Sequence, residues 1–220
     1  MKKIVFILLL VLQNASAVQS KKSPVVTEIE NAFQKVQTIQ SDFDQTVRSS
    51  RFGEKKSKGT LILQRPGKMI WNYSLPKGRV FLADGKTITL YDPEDQQALV
   101  SSQPKGSDLP AGLSFLMGHS NLQDFFDVEV LKDQKNTRGN REVLLLCKPK
   151  KENIEFKLLE LTFEWNPNVC LVASKTKDML DSENEILFRN MKLNAKVDAS
   201  DFHVKLPKNV PIVTVDTISP

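Results

Sequence analysis

The chain has 220 residues, about one to one and a half times the usual length of a domain, which excludes two large domains. Hydrophobic residues make up 40% and charged residues 26%, and the mean hydropathy is −0.29, a balance that excludes both a disordered chain and a polytopic membrane protein. The formal net charge is +5, without a block of five or six like charges, so we expect no nucleic-acid partner.

The N-terminal segment has the features of a signal peptide. Two lysines within residues 1–3 precede an apolar stretch at 4–12, and Ala15-Ser16-Ala17 has the small-x-small form that signal peptidase reads. We place cleavage after Ala17, which leaves a single domain at 18–220. The alternative, a short uncleaved anchor, is less favoured because the apolar stretch is about half the length needed to cross a bilayer. No cysteine stands near the cleavage point, so we expect an exported protein without a lipid at its new N-terminus.

One amphipathic helix is predicted at 24–40. Ser23 is a suitable N-cap, and Pro24 suits the first helical position because its missing N–H needs no partner there. Apolar residues then recur at steps of three and four: Val26, Ile29, Phe33, Val36 and Ile39. Since the opposite face is polar, the helix is expected to cover an apolar surface on one side only.

Alternation of apolar and polar residues predicts strands for most of the remaining chain. The segment 49–58, with its short basic run, is interpreted as a solvated loop, and Asp84-Gly85 is a strong hairpin signal. The predicted strands lie at 43–47, 59–65, 69–74, 80–83, 87–91, 97–102, 128–131, 141–148, 154–165, 170–177 and 186–193. The number and simple order of these strands indicate one large, strongly curved antiparallel sheet wrapped on helices.

The strand rhythm stops between Pro104 and Asp127, where the chain is rich in Gly, Ser and Pro. Two short apolar groups stand in this insert, the second after a possible cap at Ser120, so two short helices are expected. The groups are Leu113, Phe115, Leu116 and Met117, then Leu122, Phe125 and Phe126.

Sequence patterns for catalysis, metals and cofactors are missing, and we expect a protein that is not an enzyme. Ser114 lacks the second glycine and the preceding strand of a nucleophile elbow. The two histidines and two cysteines have no zinc-ligand spacing. Cys147 and Cys170 fall in separate strands with a third between them, so two buried thiols are favoured, and a disulfide between them stays open.

Several motifs in the first half of the mature chain are jointly specific. Phe43-Asp44-Gln45 is followed by Gly59 to Pro76, which contains Arg65-Pro66, Trp71 and Tyr73, and then by Ala83 to Pro93 with its Asp84-Gly85 turn. In order and spacing these motifs resemble the LolA family of periplasmic carriers of outer-membrane lipoproteins. The resemblance continues more loosely to Val210, whereas the central insert and the tail from Ile212 have no clear counterpart.

The resemblance implies a fold, a function and partners. The implied fold is mainly β with helices: an incomplete antiparallel barrel of about eleven strands wrapped around a helical lid and enclosing a hydrophobic cavity. The implied protein is a periplasmic monomer that binds the acyl chains of lipoproteins released from the inner membrane. Its implied partners are acylated lipoproteins, an inner-membrane ABC-type lipoprotein-releasing complex and, where one exists, an outer-membrane receptor lipoprotein. A sensor of lipoproteins or lipids with the same fold is the alternative, although that form usually carries a second domain.

The resemblance also nominates site residues. Arg65 corresponds to the family arginine that donates hydrogen bonds to lid carbonyls when the cavity is empty; a solvated strand-end cation is the alternative. Met69 corresponds to an exposed apolar position that contacts the inner-membrane transporter. The remaining nominees are wall residues of the cavity, each with ordinary core packing as the alternative: Trp71, Tyr73, Leu90, Leu113, Leu116 and Met117.

Overall fold

A computed structural model describes residues 23–102, 115–116, 121–151, 156–204 and 206–215. The described strands form one open sheet of twelve. This confirms the expected mainly β fold with few helices. The predicted signal peptide lies outside the described residues, within which no helix is long and apolar enough to span a bilayer.

Strands that neighbour each other in the sheet are consecutive along the chain except at two places. Helix α1 spans Pro24–Gln34 and helix α2 spans Leu122–Phe125. A short 3-10 helix spans Ala199–Phe202. The strands are β1 Thr38–Ser49, β2 Gly53–Gln64, β3 Lys68–Leu75, β4 Val80–Asp84, β5 Thr87–Asp92, β6 Gln97–Ser102, β7 Phe126–Lys135, β8 Arg141–Pro149, β9 Leu158–Trp165, β10 Val169–Lys177, β11 Glu183–Leu193 and β12 Ile212–Thr214. Their order across the sheet is β12-β6-β5-β4-β3-β2-β1-β11-β10-β9-β8-β7, so β1 with β11 and β12 with β6 are the two neighbouring pairs that are not consecutive.

Helix α1 ends at Gln34, so the prediction that it continues to residue 40 was wrong. Val36 and Ile39 are buried in the same core as the helix, but they lie in the connection and in β1. The chain is held there by Thr38, whose hydroxyl donates to the carbonyl of Ala195 at 2.6 Å. Apolar residues therefore recur at steps of three beyond the end of the helix because helix α1 and the chain that follows it into β1 bury residues in the same core.

The segment 49–58 was wrongly interpreted as a loop. Strands β1 and β2 pair continuously from Thr38 opposite Gln64 to Ser49 opposite Gly53, which leaves only three residues outside the two strands. Most of the outer half of β2 is exposed. Since that half buries almost nothing, its sequence carries no alternation, and only the backbone pairing makes it a strand.

Gly59 is required by the close approach of β3. A Cβ atom at this position would stand 2.0 Å from the carbonyl oxygen of Asn72, closer than any real contact. The register of β2 with β3 shifts between Lys58 and Gly59, which brings the two backbones together. The glycine that begins the resemblance motif is therefore explained by local packing.

The sheet is held as one piece by the pairing of β1 with β11, which joins the first six strands to the next five in antiparallel order. Inward residues from both halves belong to a single hydrophobic cluster: Met69, Ala83 and Ile88 from one, and Val143, Leu145 and Leu161 from the other. Strands that lie far apart in the sheet can share one core only if the sheet curves around it. We call the face that carries this cluster the concave face.

Helix α1 covers part of the concave face with a narrow apolar stripe, as predicted. Val26, Ile29 and Phe33 are fully buried in the central cluster. On the opposite face of the sheet, the 3-10 helix packs Phe202 against Ile70 and Leu82. Successive side chains of β3 and β4 therefore point to opposite faces of the sheet, as expected for strands.

A twelfth strand completes the sheet at one edge. Residues Ile212–Thr214 pair with β6 in parallel, and the amide of Ala98 donates to the carbonyl of Pro211 at 2.9 Å. The sequence predicted no strand in this tail, because three exposed residues carry no usable periodicity. Backbone pairing with an open sheet edge is sufficient to order them.

Both cysteines are free thiols on β8 and β10, with β9 between them, as the meander predicted. Burial raises the pKa of the Cys147 thiol to about 12, and burial, followed by the nearby Glu164, also raises the pKa of Cys170. Alkylation requires the thiolate, which forms only as the pH approaches the raised pKa. At pH 8 we therefore expect iodoacetamide to leave Cys147 unmodified in the folded protein and to modify both thiols in denaturant. Rapid iodoacetamide labelling of Cys147 in the folded protein, detected by mass spectrometry, would contradict this burial.

Candidate functional site

A cavity of about 180 Å³ lies on the concave face, between the sheet and the short segment Phe115–Leu116, which we call the covering segment. Most of its wall is aliphatic or aromatic, with a few uncharged polar groups. The lining residues are Gln45, Met69, Trp71, Tyr73, Phe115, Leu116, Leu122, Phe156, Leu159, Leu161, Leu171, Ser174, Thr176, Asn184, Ile186 and Phe188. No side chain in this set is charged, so the cavity suits an apolar ligand.

Aromatic rings brace the wall formed by β1, β3 and β11. The ring of Phe43 meets Trp71 and Tyr73 edge-on, at centroid distances of 4.8 and 5.1 Å, and Phe188 lies 6.3 Å from Trp71. The indole N–H of Trp71 is buried and has no hydrogen-bond partner among the described residues. This wall therefore consists of packed aromatic rings and carries one buried N–H group without a partner among the described residues.

The uncharged polar groups gather at one end of the cavity. The hydroxyl of Tyr73 donates to the side-chain oxygen of Gln45 at 3.3 Å, and the amide of Gln45 donates to Asn184 at 3.0 Å. Burial raises the pKa of Tyr73, so the phenol stays neutral at physiological pH. Thr176, opposite Asn184 in the sheet, completes this polar end. The cavity thus has an apolar interior and a hydrogen-bonding end.

Arg65 ties the covering segment to the sheet. It follows β2 directly, and its backbone amide donates to Gln37. Its guanidinium donates to the carbonyl of Leu116 at 2.8 and 3.0 Å, to that of Phe115 at 3.3 Å and to that of Phe33 at 2.6 Å. One planar group thus joins the covering segment, helix α1 and the end of β2, a task for which five donors are suited.

The charge of Arg65 has no carboxylate partner within 4 Å among the described residues. Burial lowers the pKa of the guanidinium from its ordinary value, but an arginine still stays charged at neutral pH. Within the described part of the chain, carbonyl oxygens are therefore the groups that compensate this half-buried cation. Any movement of the covering segment would remove two of those three acceptors.

The residues after the covering segment are anchored to helix α1. Glu30, which is buried, accepts hydrogen bonds from the amide and the side chain of Gln123, each at 3.1 Å. Gln34 donates to the side chain of Asn121 at 2.8 Å. Phe115 stacks on Phe33 at a centroid distance of 5.4 Å. The helix thus fixes α2, while the covering segment rests on it through a ring contact and through Arg65.

Met69 is 1% exposed and lines the cavity, so the expectation of an exposed apolar contact at this position was wrong. It pairs with Leu63 on one side and Ala83 on the other, both buried. Alternation along β3 places Met69 on the same concave face as Trp71. A side chain in this position can contact a ligand but is not available to a partner protein on the outer surface.

The other nominated wall residues divide into three groups. Trp71, Tyr73 and Leu116 line the cavity. Leu90 packs against the central cluster and is not among the described lining residues, a position that agrees with its alternative of ordinary core packing. Leu113 and Met117 lie outside the described residues.

Sequence reasoning missed the wall that comes from the second half of the chain. Leu159 and Leu161 on β9, Leu171 on β10, and Ile186 and Phe188 on β11 all line the cavity. Their alternation could have marked them as inward-facing. It could not have distinguished cavity wall from filled core, because that depends on which strands face each other across the curved sheet.

Known proteins resemble the chain over most of its length. A family model described as outer membrane lipoprotein carrier protein LolA matches residues 34–205. An outer-membrane lipoprotein carrier protein from Legionella pneumophila (strain Paris) is 31% identical over 214 residues, which cover 97% of this chain and 99% of the relative. One from Chromobacterium violaceum is 30% identical over 182 residues, covering 81% of this chain and 82% of the relative.

Among solved structures, an uncharacterized conserved protein from Thermus thermophilus aligns with a TM-score of 0.57 at 10% identity, over 87% of this chain and 99% of that one. This similarity shows a shared fold alone. The family match, by contrast, spans most of the sequence and agrees with the identity to named relatives. The chain therefore belongs to the LolA family of outer membrane lipoprotein carrier proteins.

Proposed function

We propose that the protein is a periplasmic carrier that shelters the acyl chains of lipoproteins released from the inner membrane and delivers them to the outer membrane. The observation that carries the proposal is the largely apolar cavity, whose described lining carries no charge, under a segment that Arg65 holds in place. The names of the relatives support the same cargo. The proposed partners are an inner-membrane ABC-type releasing complex and, where one exists, an outer-membrane receptor lipoprotein, and the carrier acts as a monomer.

The need for such a cavity follows from the hydrophobic effect. Each CH₂ group moved from a membrane to water costs about 0.8 kcal/mol, so a chain of about fifteen methylenes resists leaving by about 12 kcal/mol. An equilibrium constant of that size leaves about one molecule in a billion free in water. A carrier must therefore replace the bilayer with an apolar surface of its own during the crossing.

The carrier must also open. Sites that enclose a drug-sized ligand measure about 300 to 1,000 Å³, whereas this cavity measures about 180 Å³. An acyl chain can therefore enter fully only if the covering segment moves away. In our proposal Arg65 closes the empty cavity through its hydrogen bonds to Phe115 and Leu116. These bonds break when the segment opens, and the free energy gained by burying the ligand offsets their loss.

Binding can be tested with the two tryptophans of the chain as reporters. Trp71 lines the cavity, whereas Trp165 lies outside it, under the guanidinium of Arg141. We expect a brominated fatty acid or a brominated triacylated lipopeptide to bind saturably with one-to-one stoichiometry and to quench Trp71 by contact. The Trp165→Phe variant should retain this quenching, and the Trp71→Phe variant should lose it.

The control is the matching non-brominated ligand, which should compete without quenching. Folding of each variant is checked by circular dichroism. Absence of saturable quenching in a folded wild-type protein would contradict the carrier proposal. Equal quenching in both variants would place the ligand outside the cavity.

A further inference from the structure

Two neighbouring hairpins expose large apolar side chains at their tips. Phe52, in the turn between β1 and β2, is 77% exposed. Met179 and Leu180, in the turn between β10 and β11, are 59% and 69% exposed. Side chains of this size rarely stand together in water at the ends of protruding turns without a binding role.

The two tips lie at the same end of the sheet because β1 and β11 pair directly. Arg48 stands opposite Glu183, and beyond this pair the hydroxyls of Ser49 and Ser182 lie 3.5 Å apart. Arg48 also forms ion pairs with Glu54 on one hairpin and Glu185 on the other, at 3.0 and 3.1 Å. The apolar tips are thus held side by side, and we call residues 48–58 and 175–185 together the hairpin end.

The hairpin end carries uncompensated positive charge. Its carboxylates are already engaged: Glu54, Asp181, Glu183 and Glu185 form ion pairs with lysine or arginine, and Asp178 accepts hydrogen bonds from the amides of Leu180 and Ser182. The exposed cations Arg51, Lys55 and Lys58, by contrast, form no ion pair within the described part of the chain. These positive side chains of the hairpin end therefore remain free to bind an anionic surface, and Arg51 and Lys55 are the ones near the apolar tips.

The hairpin end adjoins the polar end of the cavity. Thr176 and Asn184, which line the cavity, lie in β10 and β11 close to the turn that carries Met179 and Leu180. Gln45 lies on β1, which leads to Phe52. A surface that engages these tips therefore comes close to the hydrogen-bonding end of the cavity.

We infer that the hairpin end docks on an anionic lipid bilayer, with Phe52, Met179 and Leu180 entering the interface and Arg51 and Lys55 contacting lipid phosphates. Apolar side chains and cations on one edge are the combination that binds proteins reversibly to membrane surfaces. A fluid bilayer accepts protruding tips without a preformed complementary groove, which favours it over a protein partner. This inference goes beyond carriage of a ligand, because it assigns the carrier its own contact with the membrane.

The test is flotation with vesicles of phosphatidylethanolamine and phosphatidylglycerol, compared with vesicles of phosphatidylcholine alone. We expect the full mature chain to float with the anionic vesicles and much less with the neutral ones. The combined Phe52→Ser, Met179→Ser and Leu180→Ser variant should partition at least about tenfold more weakly, because three apolar side chains no longer enter the interface. Raised salt should also weaken binding, because it screens the cations.

The matched control is the Leu131→Ser and Ile212→Ser variant, which removes exposed apolar side chains elsewhere on the sheet. It should bind vesicles like the wild type. Equal loss in this control, or absence of wild-type binding to anionic vesicles, would overturn the inference. Delivery of cargo that depends on the tips although no vesicle binding is measured would indicate a protein partner instead and would equally overturn it.

The result is separable from the proposed carrier function. The hairpin-tip variant should still bind the brominated lipopeptide, since none of its three changes lines the cavity. A wild-type protein that binds vesicles but no lipopeptide would leave the docking inference intact while removing the carrier proposal. Loss of lipopeptide binding in the tip variant would contradict the separation of the two surfaces.

Discussion

Replacement of Arg65 by leucine is expected to slow dissociation of a bound lipopeptide by at least about tenfold. In the proposed mechanism, the hydrogen bonds from Arg65 to Phe115 and Leu116 stabilise the closed, empty form. Each hydrogen bond from a charged donor contributes about 1.5 to 3 kcal/mol, so their loss raises the energy of the empty form relative to the loaded one. Loading should therefore proceed, while release and delivery should fail.

The measurement is the dissociation rate of the lipopeptide, followed through recovery of Trp71 fluorescence, together with delivery to acceptor membranes. Thermal unfolding adds an independent readout: the variant should lose stability in the empty form but not in the loaded form. Arg189→Leu is a suitable control, because it also removes an arginine, here one that forms an ion pair with Asp44 at an exposed site. A wild-type dissociation rate in Arg65→Leu would refute the closing role of Arg65.

Replacement of Met69 by glutamate is expected to abolish acyl-chain binding at pH 8, with a loss of at least about a hundredfold. Met69 is buried in the cavity wall next to Leu63 and Ala83. A carboxylate placed there loses its hydration, at a cost of several kcal/mol, and no cation in the lining set compensates it. Part of the same cost should appear as a lower melting temperature.

The variant should also depend on pH in a defined direction. Burial raises the pKa of an introduced carboxyl above its usual value of about 4.3 and so favours the neutral acid. The charged form, which opposes binding, dominates above the raised pKa and disappears as the pH falls through it. Affinity should therefore recover in part towards pH 5.

Met69→Leu is the control for this experiment, because a volume-conserving exchange in a core usually costs less than about 1.5 kcal/mol. It should bind ligand like the wild type at both pH values. If Met69→Glu kept full affinity and stability at pH 8, Met69 would have to point away from the cavity, contrary to its burial. Such a result would instead favour a position of Met69 on the outer surface, where it could contact a partner protein.

The local sequence determined much of this protein. Alternation predicted strands at 87–91 and 97–102, which the structure has at Thr87–Asp92 and Gln97–Ser102, because a strand with one buried face repeats every two residues. Asp84-Gly85 marked the turn before the first of them. The spacing of the motifs around Arg65 and Trp71 was sufficient to indicate the family. Strand alternation and each of these short motifs can be recognised in the sequence because they depend only on residues within a few positions of one another.

Other features depended on contacts between distant segments. The pairing of β1 with β11 joins the two halves into one curved sheet, and this arrangement decides that Leu161 and Phe188 line a cavity together with Met69. The same pairing brings the two hairpin tips together, although 133 positions separate Ser49 from Ser182. Apolar periodicity reports that a side chain is turned inward or outward. Which side chains it then meets is set by loop closure and strand pairing across the whole chain, and these are properties of the tertiary structure alone.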